Sequence, residues 1–282
     1  MSSQQFVRSQ NEVDSTGYRR HFPNGSFQVK RLVLLLSIAF LIASVGAALR
    51  SYQTNFPATE DPISENNNWV NGATTGLDWG NVQTTPGHAF GTNLNPGCSG
   101  SDPTACNDSV AALTGTWAAN QSVCATVFIG SGLSRTSGTY ELELHLRRTI
   151  ANHNSSGYEF NYSLFNNGNQ YMQIVRWNGP LGSFKVLGGG VSPIPLNNGD
   201  IFCASAIGGS LKSWLTRGGA VVGTAGPITD TTFTGGAPGV GFFNGAGTLA
   251  DNADFGFTSY QASEINSSAP PPPTNLRVTG VQ

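Results

Sequence analysis

The chain has 282 residues, of which 11% are charged and 38% hydrophobic, with 36 glycines and a formal charge of −2. So few charges exclude a coiled coil or helix bundle, and the lack of a basic face beyond the first fifty residues argues against a nucleic-acid partner. The 16 Phe, 5 Trp and 7 Tyr exclude a disordered chain, which leaves a folded, mostly non-helical protein long enough for one large sandwich.

Charge is distributed unevenly. Residues 1–50 hold six basic residues against Glu12 and Asp14, whereas the remaining 232 hold eight basic against fourteen acidic. Residues 1–31 read as a basic cytoplasmic segment. Residues 32–49 (LVLLLSIAFLIASVGAAL) carry no charge and are flanked by Lys30-Arg31 and Arg50. At about 1.5 Å per residue this stretch just spans a bilayer core. It fits an uncleaved signal anchor oriented by the positive-inside rule, or a signal peptide cut after Gly46, Ala47 or Ala48. Either way the body is expected outside the cytoplasm, membrane-anchored through residues 32–49 or secreted.

Residues 50–54 read as a short linker, residues 55–262 as the folded domain and residues 263–282, with their proline run, as a stiff extended tail. The four cysteines, Cys98, Cys106, Cys124 and Cys203, all follow the apolar segment. An even number in an oxidising compartment predicts two disulfides. Cys98 and Cys106 bracket a short polar loop, while Cys124 and Cys203 lie in apolar, strand-like stretches. The pairing 98–106 with 124–203 is therefore preferred over the other two connectivities. No CxxC pair or neighbouring histidine cluster supports zinc on these thiols.

In chain order, strands are expected at 109–113, 121–129, 139–148, 158–165, 171–177, 184–187, 201–207, 211–216, 220–224, 240–244 and 255–261. They are separated by turn sequences such as Asn197-Asn198-Gly199-Asp200 and Arg217-Gly218-Gly219. No useful helical period follows Arg50. The fold class is all-β, an antiparallel sandwich of about a dozen strands in two sheets. The clearest alternation is Tyr140 to Arg147: Tyr140, Leu142, Leu144 and Leu146 share the core face, and Glu141, Glu143, His145 and Arg147 share the other. Tyr158, Phe160, Tyr162 and Leu164 repeat the device against Glu159, Asn161 and Ser163.

Three stretches carry a family resemblance: the opening NFPATEDPISENNNW, the strand pair GDIFCASAIGGSLKSWLTRGGAVV, and the closing DTTFTGGAPGVGFFNGAGTLADNADFGFTSYQA. Together they resemble the concanavalin A-like, laminin-G-like jelly rolls of bacterial secreted or anchored proteins, over about residues 55–262. The resemblance implies a two-sheet jelly roll and, as the commonest use of that fold, carbohydrate binding. The residues suited to stacking on a sugar ring and bonding its hydroxyls are Glu143, His145, Arg147, Asn161, Gln173, Arg176 and Trp177. The expected function is an exported non-catalytic domain that binds carbohydrate or mediates surface contact. The alternatives are a glycoside hydrolase or polysaccharide lyase of the same fold, and a structural or adhesive envelope protein without a small ligand.

For catalysis, Glu141, Glu143 and His145 occupy the positions where family sixteen glycoside hydrolases carry E-x-D-x-(x)-E on one strand face, with histidine replacing the last carboxylate. The polysaccharide-lyase pattern is matched only by Glu143-Leu144-His145-Leu146-Arg147. No cofactor is expected unless it is calcium, for which Asp230, Asp251 and Asp254 are the acidic candidates, with Asn252 nearby.

Overall fold

The computed structural model describes residues 48–92, 108–136, 140–180, 182–191, 194–245 and 254–266. These residues form fifteen strands and one turn of 3-10 helix at Ala73–Thr75. The strands are β1 (Ser51–Thr54), β2 (Trp69–Asn71), β3 (Val82–Thr85), β4 (His88–Gly91), β5 (Asp108–Leu113), β6 (Gln121–Ile129), β7 (Tyr140–Ala151) and β8 (Asn154–Ser163). They continue with β9 (Tyr171–Gly179), β10 (Phe184–Val191), β11 (Ile201–Ile207), β12 (Ser210–Arg217), β13 (Ala220–Thr229), β14 (Ala237–Asn244) and β15 (Phe255–Glu264).

Two sheets result. One runs β13-β12-β11-β6-β15-β4-β3, with β1 also on β15, and the other runs β10-β9-β8-β7-β14-β5-β2. The named strand pairs in both are antiparallel, so the all-β sandwich read from the sequence is the observed architecture. The edge of β15 serves two short strands, β4 opposite Phe257 and β1 opposite Tyr260–Ser263. Ser51–Thr54, expected within a linker, is thus a strand of the sandwich. The core lies between the sheets and takes the apolar half of each alternation, including Leu142, Leu144 and Leu146 of β7 and Tyr158, Phe160 and Tyr162 of β8. Phe56 and Trp69, the aromatic pair at the start of the domain, are buried in the same core.

Cys124 on β6 and Cys203 on β11 stand directly opposite each other and are joined by a disulfide, as their strand-like contexts led us to expect. Cys98 and Cys106 lie outside the described residues, as do residues 1–47 and 267–282. Among the described residues no helix is long and apolar enough to cross a membrane.

Candidate functional site

The outer face of the seven-stranded sheet, turned away from the other sheet, carries the charged half of the β7 alternation. In register across β7, β8 and β9, Glu143 faces Asn161, which faces Gln173, and His145 faces Glu159, which faces Val175. This brings Glu143, His145, Asn161 and Gln173 onto one surface, as the period of two requires. The surface is not open. Glu143 is 1% exposed and His145 0%, with Glu159 and Asn161 also buried. A second apolar cluster forms above the sheet from Leu77, Trp79, Val110, Val175 and Trp177. Trp79, on the segment leading into β3, packs edge-on against Trp177 at 4.5 Å. The Trp177 indole donates to Glu159 Oε2 at 2.6 Å. Trp177 is therefore a packed part of this cover.

The sequence placed Arg147 beside His145, and the structure corrects this. Leu146 pairs with Tyr158 but the next pair is Thr149 with Ser156, so Arg147 and Arg148 together oppose the single residue Gly157. This is a β-bulge, which shifts the face on which every later side chain emerges. Arg147 sits at φ 53°, and Gly157 at φ 130°. A Cβ on Gly157 would lie 2.5 Å from the Arg147 carbonyl oxygen, so glycine is what lets the two strands close over the extra residue. Arg147 turns away from the charged face and donates to the carbonyls of Ala119, Phe233 and Gly208 at 2.7 to 2.8 Å. Its role is to tie three loops together.

Arg148 takes the place the sequence gave to Arg147. It is fully buried, with its guanidinium 4.7 Å over the Trp79 ring and 5.6 Å from Trp177, and none of its three side-chain nitrogens has a hydrogen-bond partner. Its charge acts on Glu159, Glu143 and Asp108. Burial pushes Asp108 and Glu143 well above the usual carboxylate range; Glu159 and Glu141 raise both further, Arg148 opposes in both, and a hydrogen bond with Glu143 lowers Asp108. Glu159 is also raised by burial, against the pull of Arg148, Trp177 and Asn161. Glu141, half-buried at the rim and accepting from the Tyr171 hydroxyl, is pushed up to about 8 by burial and by Glu159. Burial, and then Arg148, hold the His145 imidazole well below its ordinary value. Its Nε2 is bonded to Glu143 Oε2 at 3.0 Å and lies 3.8 Å from Glu159 Oε2. The chemistry assembled is one neutral imidazole among several carboxyls and one guanidinium. Sequence reasoning missed Asp108, Arg148 and Trp79, and placed Glu159 on the polar face of its strand without making it a site residue. Gly157 in the partner strand was the available signal for the bulge.

Arg176 lies on the opposite face of β9 and belongs to a different group. Its Nη1 meets Asp230 Oδ2 at 2.7 Å, and Asp230 Oδ1 accepts from the Tyr158 hydroxyl at 2.6 Å and the Thr232 amide at 2.9 Å. Asp230 follows β13 directly, so this ion pair links the two sheets. A carboxylate engaged by a guanidinium, a phenol and an amide is poorly placed to ligate calcium, and the calcium expectation loses Asp230. Asp254 accepts from the Gly130 amide through its backbone carbonyl at 2.6 Å, and Asp251 lies outside the described residues. Among the described residues, the acidic and histidine side chains close enough to hold a metal are instead Glu143, His145 and Glu159.

An accessible surface adjoins this buried cluster. On edge strand β10, Phe184 pairs with Trp177 and Val186 with Val175. Phe184 is 51% exposed and packs at 5.0 Å on the buried Trp177 ring. Beyond Leu187, Gly188, Gly189 and Gly190 oppose Ile174, Gln173 and Met172, so the edge has no side chains beside the half-buried Gln173. In the sequence, Phe184 and Val186 show only the pattern of strand residues.

No family model matches the chain, and no curated protein matches it significantly. Many solved structures match the chain in three dimensions. The exoplasmic/lumenal domain of VIP36, in a Ca2+- and Man2-bound form, is 13% identical with a TM-score of 0.52, over 79% of this chain and 92% of that one. A carbohydrate-binding module, CBM66 from Bacillus subtilis, is 16% identical with a TM-score of 0.43, over 70% and 92%. A xylan β-1,4-xylosidase from Bacillus halodurans is 12% identical with a TM-score of 0.43, over 75% of this chain and 39% of that one. The likeness to the VIP36 domain is one of fold, an antiparallel two-sheet sandwich.

Proposed function

We propose that the chain is an exported, non-catalytic sandwich of the concanavalin A-like type that binds carbohydrate on the outer face of its seven-stranded sheet. The observation that carries this reading is the shelf on β9 and β10. A half-exposed Phe184 ring is held at a fixed angle by buried Trp177, with Val186 beside it and the Gln173 amide next to a strip free of side chains. Sugar rings present C–H faces to aromatic rings and hydroxyls to amides, and a rigid ring gives up little entropy on binding. The VIP36 domain, of similar fold, is seen in a Ca2+- and Man2-bound form, which supports the reading. The Cys124–Cys203 disulfide favours an oxidising, extracytoplasmic location for the body, with residues 32–49 as its anchor or its cleaved signal.

Glycan cleavage at Glu143 and His145 is disfavoured because a carboxyl must touch the glycosidic oxygen to act, and both side chains are sealed beneath Trp79 and Trp177. The test is a glycan array with the purified protein, followed by titration of the strongest hit. Binding weakened at least about tenfold by Phe184→Ala, a loss of about 1.4 kcal/mol, is the expected outcome. An array with no hit at about millimolar saccharide, equivalent to binding weaker than about 4 kcal/mol, would return the chain to a structural or adhesive role.

A further inference from the structure

The buried cluster beneath Trp79 gathers donor atoms that carbohydrate binding does not use. Glu143, His145 and Glu159 each offer one ligand atom, and these atoms all lie within 4.8 Å of one another. His145 Nε2 is 3.0 Å from Glu143 Oε2 and 3.8 Å from Glu159 Oε2. A cation held at about 2.0–2.2 Å from nitrogen and oxygen ligands spaces them by roughly 3–3.6 Å, so the donors stand close to where such an ion needs them.

Independent observations point to a ligand here. Asn161, 4% exposed, donates its amide to Glu159 Oε1 at 3.0 Å, while its Oδ1 is buried without any partner. Asn161 stands opposite Glu143 in register, which puts that unpaired oxygen on the donor face. Gly241 flanks Glu143 on the other side, from β14. A Cβ there would overlap Glu143 Oε2 and come within 2.9 Å of His145 Nε2, so glycine keeps the donor atoms clear.

We propose that Glu143, His145 and Glu159, joined by Asn161 Oδ1, form a binding site for one divalent transition-metal ion of the zinc class. An imidazole nitrogen with a few oxygens on two rigid adjacent strands suits such an ion, whereas calcium takes six to eight oxygens from flexible loops. The ion is a structural staple between β7 and β8, covered by Trp79 and Trp177. It is independent of the glycan-binding reading and stands if that reading fails.

The test uses the full chain, stripped with a chelator and reloaded with Zn2+ or Ca2+, with bound metal measured by mass spectrometry and affinity by calorimetry. The expected result is one Zn2+ per chain, no competition from Ca2+, and affinity reduced about 100-fold or more in His145→Ala. Because that variant leaves a cavity, Glu143→Gln and Glu159→Gln, which keep the side-chain volume, are measured beside it with circular dichroism to establish folding. Each is expected to weaken Zn2+ binding while retaining the sheet. Co2+ loading of the unaltered chain should give visible absorption bands of a low-coordinate N/O site. Failure to take up stoichiometric Zn2+, preference for Ca2+, or unchanged affinity in folded Glu143→Gln and Glu159→Gln would each overturn the assignment.

Discussion

At β7 and β8 the two faces of the seven-stranded sheet are both buried, but by different means. The inner face meets the other sheet, and Leu142, Leu144 and Leu146 pack there with Tyr158 and Phe160. That burial needs no partner chemistry, because removing apolar surface from water is favourable by itself. The outer face holds Glu143, His145, Arg148 and Glu159 beneath Trp79 and Trp177. Here burial opposes the side chains, and it persists because charges are set against one another and Arg148 lies against two indoles. From Leu142 to Leu146 the strand thus keeps the period-two rule while its polar face is no more accessible than its apolar one.

The sharpest way to break the comparison is to remove the compensating charge. Arg148→Met, measured by urea unfolding in chelator-treated protein at neutral pH, is expected to cost about 3–5 kcal/mol, the range for stripping one partner from a buried ionic group. On the inner face, Leu144→Ala should cost about 2–5 kcal/mol through lost burial and the cavity it leaves. If Arg148→Met proves neutral, the outer face is held by packing alone and the contrast between the faces disappears. Gly157→Ala tests the junction between the two arrangements. Its Cβ would press on the Arg147 carbonyl at 2.5 Å with φ at 130°, and the expected cost is about 1–3 kcal/mol. A variant as stable as the parent would mean that the bulge is not what orients Arg147 and Arg148.

Much of the fold was legible because alternation is a local property. The expected strands at 121–129 and 201–207 coincide with β6 and β11, and the apolar settings of Cys124 and Cys203 identified their disulfide. Strands β1 to β4 were not legible. Each has only three or four residues, such as VQTT and HAFG, too few to show a period, and their existence depends on pairing with distant strands. The candidate site was half legible. Glu143, His145 and Asn161 do share a face, but its closure depends on Trp79, remote in sequence from β7. The exchange of Arg147 for Arg148 depends on one inserted residue, whose only trace was a glycine in the partner strand. The shelf at Phe184 escaped because an exposed aromatic on an edge strand has the same local pattern as a buried one.

The smallest effect concerns an ionic contact that joins the sheets from the inner side, Arg176 with Asp230. Burial alone would raise Asp230, but the Tyr158 hydroxyl, the Thr232 amide and hydroxyl and the Arg176 charge outweigh it and hold the carboxyl below its usual range. A group with a depressed pKa in the folded state stabilises the protein above its unfolded value and loses that contribution as pH falls through the folded one. The carboxyl side chain is 9% exposed and its guanidinium partner 22%, so the pair is only partly shielded from water and is expected to contribute under about 1 kcal/mol. Asp230→Asn should therefore lower the urea midpoint slightly at neutral pH and merge with the parent once pH falls well below the ordinary aspartate value. Should the difference between the two proteins instead persist unchanged at acid pH, the Asp230 amide and hydroxyl contacts, and not its charge, would be what couples β9 to the segment after β13. The inner face would then owe nothing to electrostatics, and the contrast with the Arg148 side of the sheet would be complete.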